Sequence, residues 1–147
     1  MQPMSFEILR LTEATEDVAR QLDALFCHLT SVPRPELTAE RLRDIVAQPD
    51  AALFVAIAEG QVVGSLTICH NLLPVGEKWW IEDVVTLPAV RGKGVGRALV
   101  ERGVAYAAEI APGVPIYLTS NPARTAAREL YRSVGFEEYQ TGVFRLK

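Results

Sequence analysis

At 147 residues the chain has room for one domain with a proper core and too little for two. Hydrophobic residues make up 49% and charged residues 22%, a balance that excludes a disordered, charge-dominated chain. A formal net charge of −3 gives no general attraction for polyanions, so nucleic acid is not an expected partner and any anion site must be local.

Phe6 to Leu11 reads as an opening strand, and Thr12 or Thr15 can cap a helix whose apolar positions Val18, Leu22, Leu25, Phe26 and Leu29 keep helical spacing. Ser31 to Pro35 breaks the chain before a second helix near Thr38, with Leu42, Ile45 and Val46 on its apolar side and a stop before Pro49. Two β-rich runs, Ala51–Ala58 and Val62–Cys69, join through Glu59-Gly60-Gln61 at hairpin spacing. A third strand, Trp79–Leu87, follows the Pro74-Val75-Gly76 turn and closes at Pro88. A helix begins around Val95 and ends before Pro112-Gly113, Ile116–Thr119 is a short strand, and Arg124–Ser133 is helical again. On that last helix Ala123, Ala126, Ala127, Leu130 and Val134 mark a buried face, with Arg124, Arg128 and Tyr131 turned to another. Phe136–Tyr139 and Val143–Lys147 close the chain as a pair of strands around Thr141-Gly142. This order predicts one α+β domain over residues 1–147: a mixed, mostly antiparallel sheet, one strand-helix-strand crossover, and about four flanking helices.

Cys27 and Cys69, each followed by a histidine (His28, His70), lack the paired spacing of a zinc site and read as ordinary, partly buried cysteines, so no metal is expected. Met1 to Arg10 has neither the basic start nor the apolar run of a signal peptide, and no segment approaches ~18 uninterrupted apolar residues. The expectation is a cytoplasmic protein with no membrane partner.

The most informative segment runs from Asp83 through Val84, Val85 and Thr86 to the loop Arg91-Gly92-Lys93-Gly94-Val95-Gly96-Arg97, passing from strand to glycines to helix. Glycines at alternate positions let a ligand approach the backbone, and the helix that follows presents free N–H groups and its positive dipole end at the same place. Arg91, Lys93 and Arg97 add full charges, so a pyrophosphate is the natural guest. A dinucleotide fingerprint counted from Gly94 would need glycine or alanine where Leu99 stands, and no Gly-Lys-Ser/Thr ending marks a nucleoside triphosphate loop. A glycine-rich connector packed under a helix, binding nothing, is the competing reading.

The loop resembles the signature of the GNAT superfamily of N-acetyltransferases, Arg/Gln-x-x-Gly-x-Gly/Ala, matched by Arg91 to Gly96. The order of elements resembles that family over essentially the whole chain, and the specific motif matches span about residues 79–136. The resemblance implies a single N-acetyltransferase domain that uses acetyl-CoA as cosubstrate, with Val84, Val85 and Thr86 beside the pantetheine arm and Arg91 to Arg97 around the pyrophosphate. The segment from Asn121 to Phe136 resembles the family's Asn…Ala…Leu-Tyr-x-x-x-Gly-Phe stretch. That likeness implies Tyr131 near the cofactor sulfur, Asn121 as a cofactor amide contact, and Arg124 and Arg128 as phosphate contacts or a solvated face.

Aminolysis of a thioester needs a group to strip a proton from the ammonium and a weak acid to protonate the departing thiolate. Glu82 and Asp83 are adjacent on a strand and are expected to face opposite sides, so only one reaches the reacting centre. Glu82, whose position resembles the strand glutamate of glucosamine-phosphate-type members, is the candidate base, and Tyr131 the candidate acid. A strand amide around Val85 is the candidate oxyanion donor. Trp79 and Trp80 are an acceptor wall or ordinary core. The expected reaction is direct attack of a primary amine, on a small molecule or a protein, in a ternary complex. Family behaviour implies a homodimer paired through the closing strands. A CoA-binding sensor without turnover, or a partner-binding module without cofactor, are the alternatives.

Overall fold

The apolar run Ala51–Ala58 forms a central strand, β2, and what covers its two faces decides the architecture. In the computed structural model of the chain, which describes residues 4–147, the elements follow as β1 (Glu7–Arg10), α1 (Glu16–Phe26), α2 (Ala39–Val46), β2, β3 (Gln61–Leu73), β4 (Gly76–Thr86), a 3-10 turn at Pro88–Val90, α3 (Val95–Ile110), β5 (Ile116–Tyr117) and α4 (Thr125–Val134). The strands form one open sheet in sequence order, antiparallel from β1 to β4 and parallel only between β4 and β5. The expected α+β class, mostly antiparallel sheet and four helices are all present. On one face Ala52, Phe54 and Ala56 of β2 pack with Leu99 and Val100 of α3 and with Tyr131 of α4. On the other, Leu53 and Val55 pack with Leu22 and Leu25 of α1 and Leu42 of α2. A strand covered on both sides needs an unbroken apolar run, which is what β2 has.

Local chemistry explains the element ends. The Thr15 hydroxyl accepts from the Val18 N–H at 3.1 Å, and that of Thr38 from the Arg41 N–H at 3.1 Å, each cap being worth about 1 kcal/mol. Glu59 (φ 51°) and Gly60 (φ 75°) sit at the centre of the β2–β3 turn, the two positive φ angles that a tight hairpin of the favoured hand demands.

Three expectations need correction. The β3–β4 hairpin is longer than expected, because pairing continues past Trp79 to Leu73 and Gly76 at its tip. By contrast β5 is only Ile116–Tyr117, since it leaves β4 after Trp80 pairs with Tyr117. The two closing strands do not form: residues 136–147 contain no helix or strand, and Val143, Phe144 and Leu146 are 77%, 99% and 99% exposed. A two-residue β5 offers almost no edge for them to pair on, and an isolated hairpin gains too little to stand alone.

Candidate active site

The register between β3 and β4 shifts at the acidic pair. Thr67 lies opposite Glu82 but Ser65 lies opposite Val85, so Leu66 faces two residues, Asp83 and Val84. This is a β-bulge, with Asp83 as its left-handed residue at φ 52°, a conformation that costs a non-glycine residue about 1 kcal/mol or more. The extra residue resets the alternation: Ile81 and Val84 both join the α3 core, and Val85 joins the α1/α2 core. Glu82 and Asp83 are therefore not separated to opposite sides, as strict alternation predicts. Both line one small cavity of about 120 Å³ with Tyr131, Arg124, Leu118 and Thr119. The cavity lies where β5 has parted from β4.

Proximity of the two carboxylates shows in the charge of Glu82, whose pKa is pushed above the usual carboxylate range, first by burial and then by Asp83. Among the described residues neither carboxylate has a hydrogen bond or ion pair within the chain.

Tyr131 joins this cavity to a larger one. Sequence spacing turned it away from the buried face of α4, yet it is the helix's most buried side chain, 7% exposed, with its ring edge-on to Phe136 at 6.2 Å. Positions 127, 130, 131 and 134 share the core-facing stripe, so the tyrosine is both core and lining. Among the described residues its hydroxyl makes no hydrogen bond, and it is not one of the buried polar atoms without a partner, so it reaches the cavity. Burial raises its pKa, and the nearby Arg124 charge offsets part of the rise, so the phenol keeps its proton at neutral pH.

The larger groove, about 700 Å³, runs between β4 and α4 to the start of α3 and is lined by Val84, Val85, Thr86, Arg91, Gly92, Gly94, Val95, Gly96, Arg97, Arg124 and Tyr131. At its far end the N–H groups of Gly92, Gly94, Val95, Gly96 and Arg97 donate to nothing among the described residues. Gly94, the N-cap of α3, has φ 85°, and a Cβ placed there would project into open space. The loop thus forms a cradle of free donors at a helix N-terminus, a fit for a diphosphate. A Cβ on Gly96 would meet Leu130 at 3.2 Å, so this glycine lets α3 and α4 close together beneath the cradle.

Three candidates lie outside both cavities. Lys93 is exposed between the two left-handed glycines. The Asn121 side-chain oxygen accepts from the Ala123 N–H at 2.9 Å and shapes the turn into α4. Arg128 donates to Glu138 at 3.1 Å and to the Ser120 carbonyl at 3.4 Å. Arg97, although it lines the groove, is held by Glu101 and the Ser133 hydroxyl, both at 2.7 Å, tying α3 to α4. Arg91 and Arg124 are the groove's cations with no ion pair among the described residues.

The profile of the acetyltransferase (GNAT) family matches residues 16–136. The chain belongs to the GNAT family. It is an acyltransferase, and the family uses acetyl-CoA. The GNAT chain is 29% identical over 136 residues to the peptidyl-lysine N-acetyltransferase YjaB of Escherichia coli, covering 88% of this chain and 83% of that one. A putative acetyltransferase from Agrobacterium tumefaciens superimposes with a TM-score of 0.79 at 28% identity, covering 96% of this chain and 99% of that one. An aminoglycoside N-acetyltransferase solved in complex with CoA shares the fold at a TM-score of 0.77 and 17% identity, covering 99% and 97%. Relatives of this GNAT chain thus transfer acetyl groups to amines.

Sequence reasoning missed Asp83 as a lining residue, and positive φ at an aspartate leaves no one-dimensional signature. It also missed His28 and Leu29, just past the end of α1, which close the groove from the opposite layer. Among the described residues no cluster of His, Cys, Asp and Glu could hold a metal ion, and no helix is long and apolar enough to cross a membrane.

Proposed function

We propose that this GNAT chain transfers the acetyl group of acetyl-CoA to a primary amine by direct attack in a ternary complex. The observation that carries the proposal is the β4 bulge: it brings Glu82 and Asp83 to the cavity reached by the Tyr131 hydroxyl, at the inner end of a groove whose outer end is a diphosphate cradle. Acetyl-CoA supplies the activated acyl group as a thioester. Val84, Val85 and Thr86 flank its pantetheine arm, and the loop from Arg91 through Gly92, Lys93, Gly94, Val95 and Gly96 to Arg97 receives the diphosphate on its free N–H groups. Arg124, Arg128 and Asn121 hold the α4 side, the last two chiefly by shaping that wall.

Glu82 takes the ammonium proton onto its carboxylate, directly or through a water, and its raised pKa makes it a better acceptor than an ordinary surface glutamate. Tyr131 returns a proton from its hydroxyl to the leaving sulfur; burial holds that proton on the phenol until negative charge builds on the sulfur as it departs. Leu87 donates to Val63 at 2.9 Å, so by alternation Val85 turns its N–H to Ser65, and an amide next to Val85 takes the oxyanion part.

A cytoplasmic location goes with this reading, as does a homodimer paired through residues 136–147, where exposed Val143, Phe144 and Leu146 support a partner contact. The test is a thermal-shift titration with acetyl-CoA, CoA and NAD, followed by thiol release across a panel of amines. Stabilisation by the CoA species alone, with thiol release for at least one amine, is expected. No shift at millimolar acetyl-CoA removes the reading.

A further inference from the structure

The two adjacent tryptophans have opposite fates. Trp79 is core, 2% exposed and stacked on His70 at 4.3 Å. Trp80 lies on the other face of β4, half-buried, facing Cys69 across β3. Its ring is 5.3 Å from that of Tyr117 on β5, which in turn lies 5.6 Å from Tyr139. On β4 this cluster sits two residues before Glu82, on the same face, so that the ring of Trp80 and the carboxylate start about 7 Å apart along the strand. The helices α1 and α2 cover that face over β2 and the upper part of β4, at Val85, and neither packs on Trp80.

Charge on this surface is lopsided. At the cavity end stand Glu82 and Asp83, with no cation paired to either among the described residues; Arg124 lines the same cavity from the α4 side. The Cys69 thiol between them and the hairpin tip is held neutral by burial and by both carboxylates. At the other end the Lys78 ammonium sits 5.7 Å from the Tyr117 ring, and Glu77 is paired with His70 at 2.7 Å. An ammonium is therefore drawn to one end of the platform and repelled from the other.

We propose that the acceptor is a small molecule whose primary amine is carried on a ring or one short linker away from it, the ring lying on Trp80 and Tyr117 and the ammonium at Glu82 and Asp83. The proposal rests on the acetyl-transfer reading and names its substrate class. An aromatic ring gains offset stacking on the two side chains and a sugar ring gains apolar C–H contact with their faces, whereas a flexible methylene chain gains contact area and gives up more rotational freedom. Arylalkylamines and amino sugars share the required chemistry, a ring face with an aliphatic amine on or near it.

The test measures kcat/KM for acetylation of 2-phenylethylamine, glucosamine, hexylamine and a lysine-containing peptide by the wild-type chain and by Trp80→Leu and Tyr117→Leu, with the acetyl-CoA thermal shift recorded for each. The better of the two ring amines is expected to exceed hexylamine and the peptide by about tenfold, and which one leads identifies the ring. In both variants that margin is expected to collapse through KM while the acetyl-CoA shift persists. Equal rates, preference for the peptide, or a margin that survives both substitutions overturns the proposal and leaves acetyl transfer standing. Loss of the acetyl-CoA shift in the wild-type chain removes both. Should no amine turn over despite that shift, calorimetry of 2-phenylethylamine and of glucosamine on the CoA-bound protein decides: binding lost in Trp80→Leu supports the platform, and absence of binding by either overturns it.

Discussion

Two glycines in the same backbone state allow the cradle to be tested apart from stability. Gly94 (φ 85°) caps α3 in the groove, Gly60 (φ 75°) sits in the β2–β3 turn, and a Cβ at either meets nothing within 4 Å. Replacing each by alanine forces an L side chain into the left-handed region, at about 1–2 kcal/mol. For a chain of this length that lowers Tm by about 3–6 °C in either variant. Only at Gly94 does the new methyl enter the space offered to the diphosphate. Displacing it from one charge-assisted N–H bond loses about 1.5–3 kcal/mol, or roughly ten- to a hundredfold in affinity. Calorimetric titration of acetyl-CoA into both variants, with Tm measured alongside, is the assay. Matched Tm losses with weakened binding in Gly94→Ala alone are expected. Wild-type affinity in Gly94→Ala, or equal weakening in Gly60→Ala, would refute the assignment of the loop as the cradle.

Tyr131→Phe keeps the packed ring and removes the hydroxyl, so acetyl-CoA binding should stay within a few-fold while kcat falls roughly 10²-fold; unchanged turnover in stopped assays of thiol release would take the tyrosine out of the mechanism. Asp83→Asn removes the charge that helps raise the Glu82 pKa. Because the base works deprotonated, activity is lost as pH falls through that pKa, and the variant's acid limb in a kcat/KM profile should move to lower pH; a limb that stays put, or moves up, contradicts the pairing. Leu22→Ala in the fully buried α1 contact should cost about 2–5 kcal/mol, seen as a Tm drop of roughly 5–15 °C, with acetyl-CoA affinity of the folded protein retained. Loss of affinity in step with Tm would mean that α1 shapes the groove more directly than Leu29 and His28 suggest.

What the sequence determined by itself is what depends on near neighbours. A threonine cap ahead of α1, a helix opening near Thr38, the Glu59-Gly60 turn, the unbroken apolar run of β2 and the loop from Arg91 to Arg97 all follow from residues within a turn or two of one another. The loop's geometry was legible for the same reason, since left-handed glycines and free helix N–H groups are local properties. Tertiary structure alone decided the rest. Whether Glu82 and Asp83 share a cavity depends on Leu66 facing two residues of β4, a relation between strands that no periodicity within β4 encodes. Tyr131 could be a core ring and a cavity-lining hydroxyl at once only because β5 parts from β4 and leaves space at the hydroxyl's end of a buried side chain. The closing strands failed for a complementary reason: β propensity from Val143 to Lys147 is local, whereas a strand exists only where another edge is present to accept its hydrogen bonds.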